Sequence, residues 1–240
     1  TTINKSTDYF NTKTYTGNGG TQSITGVGFQ PDWVWIKNRD AAENHSKYDI
    51  LRGANKVIYS NSNAAENTES NGVSSFDSDG FSIGNNGSVN GNNQGQVVWN
   101  WKANGAGSAN INSTVSVNQT AGFSIVSWTA NGSNATIGHG LGSVPKMILL
   151  KCRTQGDKWI VYNSKIGNTK YLVLNDTDAE TTSSTHFNNT SPTSSVFSTG
   201  TSGNVSGTGE TFIAYCFAEK TGYSKFGSYT GNGNADGTFV

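Results

Sequence analysis

Few residues of this chain have the type and spacing that catalysis requires. The histidines are His45, His139 and His186, and none of them lies in an HExxH pattern or beside a second histidine that could complete a metal site. The sequence also lacks a GxxxxGK[ST] phosphate loop and a Cys/His nucleophile signature. We therefore predict that the chain is not an enzyme and needs no cofactor. A glycosidase with two distant carboxylates has no motif to search for, so that class stays open.

One acidic stretch has the spacing of a partial calcium loop. Asp77-Ser78-Asp79-Gly80 places oxygen-bearing side chains at alternate positions, as Ca²⁺ prefers, but no glutamate closes the loop. The same four residues lie between Phe76 and Phe81, where Asp-Gly favours a tight hairpin turn. We predict the turn and no metal site.

Composition removes two classes of partner. The chain has 240 residues, 16 Lys+Arg against 16 Asp+Glu, and only 13% charged residues. Without a basic patch, neither nucleic acid nor an anionic membrane surface has an electrostatic footprint to bind. The longest apolar run, Met147-Ile148-Leu149-Leu150, is far shorter than a membrane span, so we expect no membrane insertion.

An internal repeat organises the chain. The pattern around Tyr15 (Thr-Tyr-Thr-Gly-Asn-Gly) recurs around Trp128 and again around Tyr229, and the run from Pro31 to Lys37 matches that from Pro145 to Lys151. Two units of about 100 residues, a usual domain size, follow from this match. We predict domains at residues 1–105 and 106–221, with residues 222–240 as the opening strand of a truncated third repeat.

Within each unit the hydrophobic pattern has the period of a β-strand. Trp33 and Trp35 alternate with Val34 and Ile36, and Gly/Asn/Asp turn signals separate such runs. Roughly seven short strands per unit, with no helical periodicity, predict an all-β chain of two tandem antiparallel β-sandwich domains. Each unit is expected to bury its own core.

Comparing the repeats also interprets the aromatic residues. Trp33 and Trp35 are replaced by Met147 and Leu149 in the second unit, so these positions require bulk and are assigned to the core. Three residues of a loop region in the first unit, His45, Tyr48 and Arg52, are our candidates for a carbohydrate contact surface. Tyr48 as a core residue is the alternative.

The two cysteines occupy matching places in the repeat. Cys152 and Cys216 replace Asn38 and Asn100, and both lie beside predicted core strands. This paired replacement suggests that the two strands are neighbours, and a disulfide could form if the Cα atoms lie within about 7 Å. Free buried thiols are the alternative.

Several motifs resemble modules of marine bacteriophage tail and tail-fibre-like structural proteins. They include the stretch from Gly26 to Arg39 (GVGFQPDWVWIKNR), the stretch from Ser75 to Phe81 (SFDSDGF) and the stretch from Gly227 to Gly233 (GSYTGNG). The resemblance implies a concanavalin-like, lectin-like jelly-roll sandwich in an extracellular virion appendage. It implies host cell-surface glycan or other virion and fibre proteins as partners, and it supplies no catalytic residues.

Three functional hypotheses remain, in order of preference. The first is a non-enzymatic structural and adhesive module of a phage tail fibre, which sets spacing and contacts host surface glycan. The second is a bacterial extracellular filament or cell-surface subunit that assembles by strand exchange, since an unpaired strand invites pairing with another chain. The third is a polysaccharide depolymerase. Assembly into a homo-oligomer is compatible with the first two, although the sequence shows no coiled coil.

Overall fold

The fold of residues 2–239 was obtained from a computed structural model. It contains β-strands connected by turns, a 3-10 helix at Ser6–Asp8 and three short α-helices within this range. No helix in this part of the chain has the length and apolar character needed to cross a bilayer. The all-β expectation is confirmed, because every strand pair is antiparallel and the strands form several sheets.

The strands that precede residue 105 form two sheets. They are β1 (Phe10–Thr16), β2 (Gln22–Ile24), β3 (Trp33–Asn38), β4 (Ser46–Asp49), β5 (Lys56–Tyr59), β6 (Asn67–Thr68), β7 (Val73–Asp77), β8 (Gly80–Ile83) and β9 (Gly95–Trp101), with helix α1 (Gly87–Asn90) before β9. The large sheet has six strands in the order β1-β9-β3-β4-β5-β6, and the small sheet has the order β2-β8-β7.

The later strands repeat this arrangement with an added hairpin and without a counterpart of β7. They are β10 (Ser108–Asn110), β11 (Ser113–Asn118), β12 (Phe123–Thr129), β13 (Ala135–Gly138), β14 (Met147–Cys152), β15 (Ile160–Asn163), β16 (Lys170–Val173), β17 (Thr181–Thr182), β18 (Val196–Thr199) and β19 (Thr211–Phe217), with helices α2 (Ser184–Phe187) and α3 (Gly203–Ser206). The large sheet has the order β10-β11-β12-β19-β14-β15-β16-β17, and β13 pairs with β18 in a small one. The added hairpin β10–β11 covers the edge of β12, whereas the equivalent edge of β1 has no neighbour among the described strands.

Each large sheet is apolar on both faces, and this sets the layering. In β3, Val34 and Ile36 face the small sheet of the first repeat and pack with Phe81, while Trp33 faces the other large sheet and packs with Phe123. The second repeat has the same two-faced pattern in β14 and β19. Within residues 2–239 the sheets therefore form four layers, with the two large sheets in the middle.

The Asp-Gly turn forms as predicted. Asp77 pairs with Gly80 across a tight hairpin between β7 and β8. Both carboxylates are used by the protein itself: Asp77 accepts hydrogen bonds from Ser75 and Ser82, and Asp79 accepts from the backbone N–H groups of Gly26 and Gly28. These contacts fasten the small sheet to the loop before β3.

The expected opening strand of a third repeat is not a strand in this structure. The last strand ends at Phe217, and residues 225–239 have no strand partner within the described chain. Tyr229 is 68% exposed, although its counterpart Trp128 is buried in the second repeat. A strand needs a hydrogen-bonding neighbour. The opening strands β1 and β12 pair with β9 and β19, and each of these two strands already has a neighbour on both sides. They therefore offer no free edge to residues 225–239.

Candidate functional site

The predicted carbohydrate contact residues do not form an exposed surface. Tyr48 is 1% exposed and Arg52 6%, so the prediction of an exposed contact surface is wrong for both. Tyr48 lies in the core between the two sheets of the first repeat, as its alternative assignment stated. His45 is partly exposed, and its Nδ1 accepts a hydrogen bond of 3.2 Å from the indole N–H of Trp35.

The two large sheets pack against each other through a shared layer of buried side chains. We call this contact the inter-repeat seam. At its centre Trp33 stacks on Tyr215 with ring centroids 4.2 Å apart and an interplanar angle of 15°. Trp33 also packs against Phe123 of the second repeat and Trp101 of its own sheet. Aromatic side chains supply large buried area from few positions, so this layer binds the two repeats strongly.

Arg52 lies in a buried ionic network at the edge of the seam. Its Nε donates to the carboxylate of Asp49 at 2.5 Å, and its Nη1 approaches Glu66 at 3.3 Å. Glu66 also binds Arg153 of the second repeat, with contacts of 2.9 and 3.1 Å. The Tyr215 hydroxyl donates to Asp49 at 2.7 Å. Two positive and two negative groups thus join the repeats with no excess charge.

The electrostatics of this network favour its charged form. Burial alone lowers the pKa of the Arg52 guanidinium, but the negative charges of Asp49 and Glu66 and the hydrogen bond to Asp49 outweigh it and raise that pKa above its ordinary value. Burial, followed by the charge of Asp49, raises the pKa of the Tyr215 hydroxyl. Tyr215 therefore stays a neutral donor, and the network acts as a fastening between the repeats.

A buried lysine, Lys47, lies in the same seam. Lys47 is 0% exposed, and its Nζ lies 3.5 Å from the ring centroid of Trp35 and 5.0 Å from that of Trp159. The Nζ has no hydrogen-bond partner within residues 2–239. Burial, followed by the charge of Arg52, lowers the pKa of the Lys47 amine well below its ordinary value. The amine is therefore enclosed by the two repeats and is inaccessible to a ligand.

At one end the seam opens into an apolar cleft of about 380 Å³. Trp35, Trp101, Met147 and Phe217 line it, and Phe226 lies over Phe217 with ring centroids 6.3 Å apart. Tyr223 and Lys225 are the ionisable side chains of this lining, and Lys225 is exposed. The Ser224 hydroxyl, also in the lining, donates to Ala218 O. The cleft can accommodate an apolar group, but it holds no nucleophile–base pair.

The sequence matches a family model over nearly its whole length. A sequence profile described as "Domain of unknown function (DUF7483)" matches residues 5–240. The chain belongs to the DUF7483 family. No curated protein and no solved structure shows a significant match to it.

The profile of the DUF7483 family runs across both repeats and through the seam between them. Neither the buried network nor the aromatic layer could be located from local motifs, because the partners lie far apart in sequence. One signal was nevertheless present: Trp33 and Val34 are both large and apolar on opposite faces of one strand, which is typical of a strand buried on both sides.

The histidines of this DUF7483 chain take part in local packing. His139 is bonded through its ring to Thr193 O and the N–H of Leu141, and His186 is stacked on Tyr171 with ring centroids 3.9 Å apart. Burial lowers the pKa of both, that of His186 to about 4. Both imidazoles are therefore neutral at pH 7 and hold their loops in place.

The disulfide predicted as one option for Cys152 and Cys216 is absent. Both thiols are free and buried, the alternative that the sequence left open. The two strands are neighbours as expected, but β14 pairs with β19 so that Cys216 lies opposite Ile148 and Cys152 opposite Phe212. Four residues of register separate the cysteines, roughly 13 Å at the rise of a strand, which is too far for a disulfide.

One group of side chains in the described chain could hold a metal ion. The ligand atoms of Cys152, Asp157 and Glu210 lie within 4.8 Å of one another. The first repeat has Asn38 and Gln94 at the places of Cys152 and Glu210, joined by a direct hydrogen bond of 2.6 Å. In the second repeat the thiol Sγ lies 3.5 Å from Glu210, so the same contact is made by a weaker donor.

Proposed function

We propose that this chain is a non-enzymatic structural and adhesive module of an extracellular, virion-borne appendage of the phage tail-fibre kind. In this proposal each repeat is a concanavalin-like jelly-roll sandwich, and the two repeats together form one rigid spacer. The partners are neighbouring fibre proteins and host surface glycan. The inter-repeat seam is the observation that carries the proposal.

The seam supports a spacer because it removes the freedom that linked domains usually have. Domains joined by a polar interface are expected to move relative to one another. Here Trp33 stacks on Tyr215, Asp49 binds the hydroxyl of Tyr215, and Glu66 binds Arg153. Breaking these contacts would leave buried charges without partners, which is strongly unfavourable. A rigid pair transmits position and force along an appendage.

Calorimetry of the whole chain tests the spacer. We expect one heat-absorption peak whose calorimetric and van't Hoff enthalpies agree, because the two repeats should unfold together. The matched variant is Arg153→Met, which breaks the link to Glu66 on the second repeat's side. It should lower the transition temperature and keep a single peak. Two separate peaks in the unmodified chain would remove the spacer proposal.

A filament subunit that assembles by strand exchange is the second candidate. The uncovered edge of β1 favours it, since an unpaired edge strand can pair with another chain. The exposed residues 225–239 could supply the added strand. Light scattering during size-exclusion chromatography separates the candidates: particle mass that grows with protein concentration supports the filament, and constant mass supports the spacer.

A further inference from the structure

A polar groove on the second repeat lies away from the apolar cleft. It has a volume of about 380 Å³ and is lined by Asn112, Thr114, Trp128, Thr129, Arg153 and Thr211, among others. A smaller pocket of about 130 Å³ shares Asn112, Trp128 and Thr129 with it and extends to Thr199. The combined space falls in the size range of small-ligand sites.

Two buried polar groups of this lining have no partner. Trp128 is 5% exposed and Thr199 0%, yet neither the indole N–H of Trp128 nor the hydroxyl of Thr199 makes a hydrogen bond within residues 2–239. A buried donor without a partner is costly, and native proteins rarely leave one unless water or a ligand completes it. These two groups therefore indicate a polar occupant of the pocket.

The first repeat shows that the fold does not require these unpaired groups. Tyr15 occupies the place of Trp128: it meets Phe81 edge-on at 72°, as Trp128 meets Phe197 at 73°. The Tyr15 hydroxyl donates to Val89 O at 2.7 Å, so its polar group is satisfied. Apolar Ile83 takes the place of Thr199, as the pairing of each small sheet shows. Both polar groups without a partner are thus specific to the second repeat.

The chemistry of the groove selects the ligand class. Threonine hydroxyls at 114, 129 and 211 line it, and each can donate and accept a hydrogen bond. Arg153 is the one charged side chain among the lining residues, and Glu66 neutralises it through two hydrogen bonds. The ring of Trp128 is already stacked on Phe212, which leaves its N–H as the group to be satisfied.

We propose that this groove binds a neutral saccharide. The indole N–H of Trp128 and the hydroxyl of Thr199 bond to sugar hydroxyls in the smaller adjoining pocket, which we call the deep pocket. The inference names the ligand class for the adhesive part of the proposed function, and it rests on that part. It moves the carbohydrate site from residues 45–52 of the first repeat to the second repeat.

Binding measurements with the full 240-residue chain test the site. The probes are neutral hexose tri- and tetrasaccharides, immobilised on an array and free in calorimetry, beside sulfated forms of the same sugars. The variants are Trp128→Phe, which removes the N–H and keeps an aromatic ring, and Thr199→Val, which removes only the hydroxyl. Thr199→Ser retains the hydroxyl, and Tyr15→Phe is the matched change in the first repeat.

We expect a neutral oligosaccharide to bind, with affinity lowered at least tenfold in Trp128→Phe and several-fold in Thr199→Val. Thr199→Ser should bind more tightly than Thr199→Val, Tyr15→Phe should bind as the unmodified chain does, and binding should be insensitive to salt. The site is overturned if no neutral sugar binds, if sulfated forms are preferred, or if both deep-pocket variants bind normally. A crystal structure with only ordered water on both groups, together with no binding, would also overturn it.

These outcomes are separate from those of the spacer test. Two calorimetric peaks with sugar binding retained would remove the rigid spacer and leave the groove in place. One peak with no sugar binding would do the reverse.

Discussion

At the scale of single residues, Lys47 buries an amine that is ordinarily charged. Its amine is enclosed by Trp35 and Trp159 and has no hydrogen-bond partner in the described chain. Because its folded pKa is lowered, the unfolded chain binds a proton that the folded chain does not. Stability should therefore fall as the pH drops below the ordinary lysine pKa, until the folded pKa is reached.

We predict that Lys47→Met stabilises the protein at pH 7 by about 1–3 kcal/mol, since an apolar side chain of similar shape removes the protonation penalty. Its advantage should shrink as the pH rises toward 10. Urea unfolding at pH 7 and pH 9.5 measures both effects. Lys151→Met is the comparison: burial lowers the pKa of Lys151 to about 8, but its Nζ donates to Cys152 O and Gln155 O, so its replacement should be less favourable than that of Lys47.

His186 predicts sensitivity to acid. Burial lowers its pKa to about 4, whereas an unfolded histidine titrates near 6.5. Protonation therefore favours the unfolded chain between these values, and stability is lost as the pH falls through that window. His186→Gln should reduce the loss between pH 7 and pH 4.5 by about 2 kcal/mol. An unchanged difference in urea midpoints between the two pH values would show that folding does not lower the pKa of His186.

At the scale of elements, the β7–β8 hairpin depends on one glycine. Gly80 has φ +155°, and a Cβ there would lie 1.8 Å from the carbonyl oxygen of Ile24 in the adjacent strand β2. We predict that Gly80→Ala destabilises the protein by about 2–4 kcal/mol, because backbone cannot yield as a flexible side chain does. Gly53→Ala is the matched control: φ is +91° with open space around it, so only the conformational cost of about 1 kcal/mol remains.

Strands and turns were largely accessible from sequence, and long-range contacts were not. Alternation located the strand at Trp33, and Asp-Gly located the turn at Gly80, because both signals are local. Arg52 was assigned to a loop surface because nothing near it in sequence reveals Glu66 and Arg153 as partners. The groove was missed for the same reason: Trp128 and Thr199 meet only after β12 and β18 have folded into place.

At the scale of the whole molecule, the four layers should unfold as one unit. Phe81 lies in the first repeat on the side away from the seam. We predict that Phe81→Ala lowers stability by about 3–5 kcal/mol and that slowly exchanging amides of β14 and β19, in the second repeat, lose protection by the same free energy. Hydrogen exchange measures both. Loss of protection confined to residues 10–101 would show that the repeats open independently.

Finally, the positions of the two cysteines allow local opening of the unmodified protein to be measured. Both thiols lie in the apolar layer of the second repeat that faces away from the seam, and the first repeat has none. A thiol-reactive dye can reach them only when that layer opens, so its labelling rate records the opening frequency of one layer in an unmodified protein. Because the thiols are too far apart to bond, oxidants cannot silence this signal by closing an internal disulfide.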